Sequence, residues 1–360
     1  MKKILTAIAL FAAGSMIFAY NPPVSGEDLG RLADPIALTS AASASGGALT
    51  QVVPASILYN PALPYLVQRT TVDLSYTGMI DTNNKNTTNV KYGQAFQMGT
   101  IIPTKLFVYT GMLQGSFVYF PEMNTGSSIV IHGSASKDIT DKLYVGANLY
   151  TGFYFASGSD FTIGVDLGML YDLGQLSFLK DCRLGISLLN LGKPLTGNYK
   201  CIGLNGAEGE GFAISYPGIC TPRVSFGATL FDVKKFKGGF SADLSFPFFQ
   251  NAVFDCGLGF TFADIVNLSC SWQANLRELI KGAQFNMPSV GVGVKFSFTS
   301  AKISAANEDW AKSDMTTTAA WQQVYGGVQV ISAGAVMSLG QQDTSAPEII
   351  LWFGDEGEEE

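Results

Sequence analysis

Along most of the chain, apolar and polar residues alternate one by one. Val290, Val292, Val294, Phe296 and Phe298 interleave with Gly291, Gly293, Lys295, Ser297 and Thr299. Phe161, Ile163, Val165, Leu167, Met169 and Tyr171 do the same against Thr162, Gly164, Asp166 and Gly168, and Phe240, Ala242, Leu244 and Phe246 against Ser241, Asp243 and Ser245. A period of two belongs to strands whose faces meet different surroundings. Folding the chain at Ala263 sets Phe260 opposite Val266, Leu258 opposite Leu268, Cys256 opposite Cys270 and Phe254 opposite Trp272. One face of that hairpin is then apolar throughout, and the other carries Asp255, Gly257, Gly259 and Thr261, as an antiparallel pair with one register requires.

The alternation predicts strands over residues 70–80, 91–102, 105–119, 128–138, 142–154, 161–172, 181–190, 222–232, 238–247, 252–262, 264–275, 288–299, 321–330 and 332–340. That is fourteen, an even number, as in single-chain bacterial barrels. With the N-terminal segment starting on the periplasmic side, the first strand ends outside. The connections Asp81 to Asn89 and Leu191 to Thr221 are then long outer loops, and Ile102 to Lys105, Asp138 to Asp141 and Phe262 to Asp264 short inner turns. Asp172 to Lys180 and the 300–320 segment break this rule, and the second leaves the count between twelve and sixteen.

Residues 20–69 carry no such pattern. Three prolines between Pro54 and Tyr65 forbid a regular helix and lack the N–H a sheet ladder needs. Yet Ile57, Leu58, Tyr59 and Leu63 are too apolar for a free linker, so something must cover them. Asp34-Pro35 can open a short helix, with Asp34 as cap and Pro35 at the first helical position. The reading is a plug, or hatch, inside the lumen of a transmembrane antiparallel β-barrel; a disordered periplasmic leader is the alternative.

Composition supports a membrane barrel. Only 14% of residues are charged, against ~25% in ordinary soluble domains, and mean hydropathy is +0.22. Beyond the N-terminus no apolar run reaches the ~18 residues of a membrane-spanning helix. In a transmembrane barrel each strand shows lipid one apolar face, which spreads hydrophobicity thinly. Lys2 and Lys3, the apolar Ile4 to Phe11 and the small residues that follow read as a signal peptide over 1–19, cut after Ala19. Its loss takes the formal charge from −7 to −9, and nothing basic accumulates, which excludes a nucleic-acid footprint. The domain plan is therefore signal peptide 1–19, hatch 20–69, barrel 70–340 and acidic tail 341–360. Residues Ile349 to Phe353 offer an alternative closing strand, and the tail a docking point for a periplasmic partner.

Gly46-Gly47-Ala48 followed by Ala55-Ser56-Ile57-Leu58-Tyr59-Asn60-Pro61-Ala62 resembles the hatch signature of the long-chain fatty-acid transporters of Gram-negative outer membranes. Leu188 to Pro194 and Asp343 to Pro347 resemble a branch filed beside that family. The resemblance implies a fourteen-stranded barrel with an N-terminal hatch, outer-membrane location, and passive uptake of fatty acids or similar apolar molecules. Asn60, Pro61 and Ala62 are the residues it carries over; the acidic tail and the Cys-containing loop depart from it. A surface adhesin and a general porin are the competing functions.

Alternation points Asp73, His132, Asn148, Asp166, Asp243, Asp255 and Lys295 into the lumen, since a Lys on the lipid face costs ~2–4 kcal/mol at the midplane. His132 is the sole histidine, with Ser134 on the same face, but no catalytic motif surrounds them, and no enzyme activity or cofactor is expected. Of five cysteines, Cys201 and Cys220 bracket the Gly-rich outer loop, where a disulfide would add ~3 kcal/mol. The cysteine spacings do not make a metal site.

Overall fold

The computed structural model describes residues 20–22, 27, 30–39, 43–47, 49, 51–82, 91–119, 126–155, 159–202, 208–280, 287–299, 312–324 and 327–340. The signal peptide, the acidic tail with Ile349 to Phe353, and the side chain of Cys201 lie outside the described residues.

Fourteen strands close into an antiparallel barrel. They are β1 Thr70–Asp81, β2 Tyr92–Pro103, β3 Val108–Val118, β4 Gly126–Thr140, β5 Leu143–Phe155, β6 Ser159–Leu176, β7 Leu179–Lys193, β10 Thr221–Val233, β11 Phe236–Ser245, β12 Val253–Phe262, β13 Val266–Asn275, β14 Ser289–Thr299, β15 Lys312–Val324 and β16 Val328–Leu339. β1 pairs with β16 from Thr70↔Leu339 to Asp81↔Val328, which removes both sheet edges. Between β7 and β10 a separate two-stranded hairpin, β8 Leu195–Ile202 and β9 Glu208–Tyr216, stands at one end of the barrel, here called the loop end. The opposite end, where β1 begins, is the turn end.

The period-two pattern does what it predicts. Leu74, Leu149, Phe161, Ile163, Val290, Val292 and Ile331 are exposed on the outer wall. On the inner face Ser75, Thr77, Asn148, Asp166, Ser187, Ser241, Asp243 and Asp255 are buried. An apolar outside around a polar inside is the surface of a barrel solvated by lipid. No helix of the described residues is long and apolar enough to cross a membrane.

Four local expectations are corrected. The β12–β13 register is Phe262↔Val266, Leu258↔Cys270 and Cys256↔Trp272, two residues from the predicted pairing, so Cys256 and Cys270 are diagonal neighbours and not opposite each other. The turn holds both Ala263 and Asp264 at positive φ (53° and 56°), a conformation that sequence rules reserve for Asn and Gly. Because the slip is even, each side chain keeps its face. Second, the last hairpin turns between Val324 and Val328, so β15 reaches back to Lys312 and fills half of the 300–320 segment. Third, β6 and β7 run on to Leu176 and from Leu179, which makes that turn-end connection as short as the others. Fourth, the N-terminal segment starts at the loop end, where Asn21 bridges Ile214 of β9, and leaves at the turn end into β1.

The segment crosses the whole lumen between those points. Asp34 Oδ1 accepts from the Ile36 N–H at 2.9 Å and caps the short helix Pro35–Thr39. 3₁₀ turns follow at Pro54–Leu58 and Leu63–Leu66. Ile57, Ala55 and Leu63 are fully or almost fully buried, and Ile57 and Ala55 pack with Met112 and Val336 of the wall. At the exit, Arg69 donates to Asp314 of β15 at 2.5 Å and to the Ser338 carbonyl of β16 at 2.9 Å.

Candidate functional site

Where the inner segment meets the wall, the wall lacks side chains. Gly146 of β5, Gly168 of β6 and Gly185 of β7 all face inward, and Gly146 and Gly168 are direct cross-strand partners. A Cβ at Gly146 would overlap the Pro61 carbonyl, one at Gly168 the Asn60 side chain, and one at Gly185 the Ala44 carbonyl. Together they form a notch that receives Asn60, Pro61 and the Ala44 turn. Asn60, fully buried, uses every polar atom of its side chain there. Nδ2 donates to the Ala44 carbonyl at 2.7 Å and to the Met169 carbonyl of β6 at 2.9 Å, and Oδ1 accepts from the Ala62 N–H at 3.0 Å. The Asn-Pro-Ala triplet is thus the point where the segment is pinned to itself and to the barrel.

Wall hydroxyls satisfy the irregular backbone, which no ladder could do. Ser75 donates to the Ala33 carbonyl at 2.8 Å, Ser187 to that of Tyr59 at 2.7 Å, and Ser271 to that of Leu38 at 3.2 Å. On the β10–β12 side, the Ala44 N–H donates to Asp243 Oδ2 at 2.7 Å, and Ser43 and Ser45 bond Ser225. Asp243 Oδ2 also accepts from Arg223 Nε at 2.8 Å, while Arg223 Nη2 reaches Asp255 Oδ2 at 2.7 Å. Arg31 of the inner segment stands 3.9 Å from Asp255 Oδ1. Two guanidinium groups and two carboxylates therefore share one buried cluster whose charges balance, the condition on which buried ions are tolerated.

On the loop side of the notch a cavity of about 150 Å³ remains. Leu58, Tyr59 and Arg31 of the inner segment bound it on one side; Val130, His132, Tyr150, Asp166, Leu189 and Asn190 of β4 to β7 bound it on the other. Its polar wall is wired in sequence. A bulge in β7 sets Leu189 and Asn190 against the single residue Asp166 of β6, with Asn190 at φ 61°, and turns the Asn190 N–H onto Asp166 Oδ1 at 2.7 Å. Asp166 Oδ2 accepts from Asn148 Nδ2 at 2.7 Å, and the same amide nitrogen lies 3.2 Å from His132 Nδ1. The His132 ring leans on Tyr150, centroids 5.6 Å apart.

Six of the seven residues that alternation sends inward lie buried on the inner face, at separate places. His132 and Asp166 line the cavity, with Asn148 joining them from behind; Asp243 and Asp255 belong to the arginine cluster. Asp73 accepts from Gln97 Nε2 at 2.6 Å, near Asp34 of the inner segment. Lys295 stands apart from these, half-exposed at the turn end and 3.5 Å from Asp314. Cys220 is buried with a free thiol, and its supposed partner Cys201 lies outside the described side chains. Sequence reasoning missed Arg223, although its alternation with Val224 and Phe226 marks it as inward, and it missed Arg31, whose irregular segment gives no facing signal. Among the described residues no group of His, Cys, Asp and Glu is arranged to hold a metal ion.

No family model matches the sequence, and no curated protein matches it. Among solved structures, the toluene transporter TbuX of Ralstonia pickettii aligns at 12% identity with a TM-score of 0.50, over 86% of this chain and 98% of that one. A deletion mutant of the TodX monoaromatic hydrocarbon channel aligns at 11% identity with a TM-score of 0.53, over 87% and 99%. A FadL homologue of Pseudomonas aeruginosa aligns at 12% identity with a TM-score of 0.49, over 85% and 97%. At such identities the likeness to the first two establishes a shared barrel fold.

Proposed function

We propose that the chain is an outer-membrane transporter for hydrophobic molecules, with residues 20–69 as its hatch and passive diffusion as its mode. The observation that carries this reading is the occupied lumen: a lipid-faced barrel filled by a segment pinned at Asn60, with a cavity left between segment and wall. A general porin needs a continuous aqueous channel, which a lumen held in this way does not offer. An adhesin needs neither a lumen cavity nor a pinned segment. The solved barrels of the same fold are named for toluene and monoaromatic hydrocarbon passage, which supports the class of cargo. Long-chain fatty acids are the family's eponymous cargo, and an extended acyl chain would have to displace the hatch, since the cavity has the size that accommodates one benzene-like ring.

The test is uptake by cells that lack their own outer-membrane hydrophobic carrier and express this chain, with labelled toluene and labelled oleate as cargo. The control carries Asn60→Ala with Pro61→Ala, matched for amount in the membrane. Uptake by the native chain that changes several-fold in the control supports hatch-gated transport. A correctly inserted native barrel that passes neither cargo overturns it.

A further inference from the structure

The cavity wall contains a donor that nothing among the described residues uses. His132 is 7% exposed and borders the cavity, and its Nε2 has no hydrogen-bond partner among the described residues. Its state is fixed from behind. Asp166 Oδ1 is taken by the Asn190 N–H, and Asp166 Oδ2 accepts from Asn148, which orients that amide with Nδ2 toward the carboxylate. Nδ2 can only donate, so His132 Nδ1 facing it at 3.2 Å must be the acceptor, and the ring proton sits on Nε2. A chain of three side chains from three adjacent strands thus holds a neutral imidazole with its N–H free. A buried donor left unmet is costly, so its retention at a cavity wall points to a ligand that meets it.

We propose that His132 is a ligand-binding residue and that the cavity takes a neutral, ring-sized molecule bearing a hydroxyl, in preference to a hydrocarbon of the same shape. The inference rests on the transport reading above. The hydroxyl oxygen accepts from His132 Nε2–H. Tyr59, Tyr150, Leu58 and Leu189 supply the apolar contact for the ring. A charged ligand is disfavoured, because Arg223 and Arg31 already share their charge with Asp243 and Asp255.

The experiment compares labelled p-cresol with labelled toluene, which differ by the hydroxyl, in uptake by the full chain and by His132→Phe, which keeps a ring and removes the donor. The native chain is expected to favour cresol over toluene about fivefold, the worth of one net hydrogen bond, and the cresol-to-toluene uptake ratio of His132→Phe to fall to about one. Equal uptake of the two by the native chain, or an unchanged preference in the variant, overturns the proposal and leaves hydrophobic transport standing. Passage of neither cargo overturns both. Because His132 is the sole histidine, the untagged native protein also reports without any substitution. Cresol should shift the one imidazole ¹⁵Nε2 resonance and toluene should not; a resonance indifferent to cresol sinks the assignment even if the variant fails to fold.

Discussion

Asp34 shows how one residue can tie the inner segment to pH. It caps Pro35–Thr39 through Oδ1, is wholly buried, and sits near the second buried carboxyl group of Asp73. Burial, moderated by the Ile36 N–H, pushes the Asp34 carboxyl up, from 3.8 to about 6. An acid whose folded value is raised favours the folded arrangement in its protonated form. Its contribution is fully present below about pH 4 and is lost as pH rises through about 6. Hydrogen-exchange protection of residues 31–39, corrected for intrinsic rates, should therefore fall across that window, and Asp34→Asn should flatten the profile. Protection that rises with pH would contradict the seating described here. That Asp34 caps a helix was legible from Asp34-Pro35. That it does so beside Asp73 was not, because no local rule relates an irregular segment to a strand it meets across the lumen.

At the scale of elements, the register of neighbouring strands builds the sites, and register is the information least available from sequence. The hatch triplet is readable in the chain, but the notch that receives it is not: Gly146, Gly168 and Gly185 are three among 40 glycines, and only strand pairing aligns them. The same holds for the cavity wall. Alternation gives His132, Asn148 and Asp166 their common face, whereas their linkage depends on the β7 bulge at Asn190, which inserts one residue that a period-two reading does not anticipate. Face assignment survives such slips when they are even, which is why the β12–β13 hairpin kept its sides while losing its pairing. The notch makes a definite demand. Gly168→Leu should expel Asn60 from its place, because the clash involves Asn60 itself and Pro61 ring atoms, not the end of a flexible chain. The barrel should still insert and resist unfolding in detergent, while limited proteolysis should cut within residues 40–66 several times faster than in the native chain. An unaltered cleavage rate would mean that the segment does not depend on the notch.

For the molecule as a whole, the decisive feature is the path of the inner segment. A plug entering from the turn end and folding back would be held at one side only. This segment is instead fastened at both mouths and at the middle. At the loop end the Asn21 and Ile214 backbones exchange two hydrogen bonds of 3.0 Å, and Arg277 donates to Asn21 Oδ1 at 2.5 Å. Asn60 and the Ala44 turn hold the middle, and Arg69 holds the turn end through Asp314 and Ser338. In the transport reading proposed above, such a thread would release cargo by shifting between its fixed points without leaving the lumen, since each hydrogen bond contributes only about 0.5–1.5 kcal/mol net. It also places Tyr20 to Pro22 at the end that carries the long β7–β10 connection, the outer end of a barrel of this kind. An epitope inserted between Ala19 and Tyr20, which a cut after Ala19 would leave on the chain, should accordingly be stained by antibody on intact cells. The same epitope inserted at Asp141, in the short β4–β5 turn, should be stained only after permeabilisation. If the N-terminal epitope needed permeabilisation as well, the thread would enter from the turn end, and the contacts of Asn21 with β9 could not be those of the protein in its membrane.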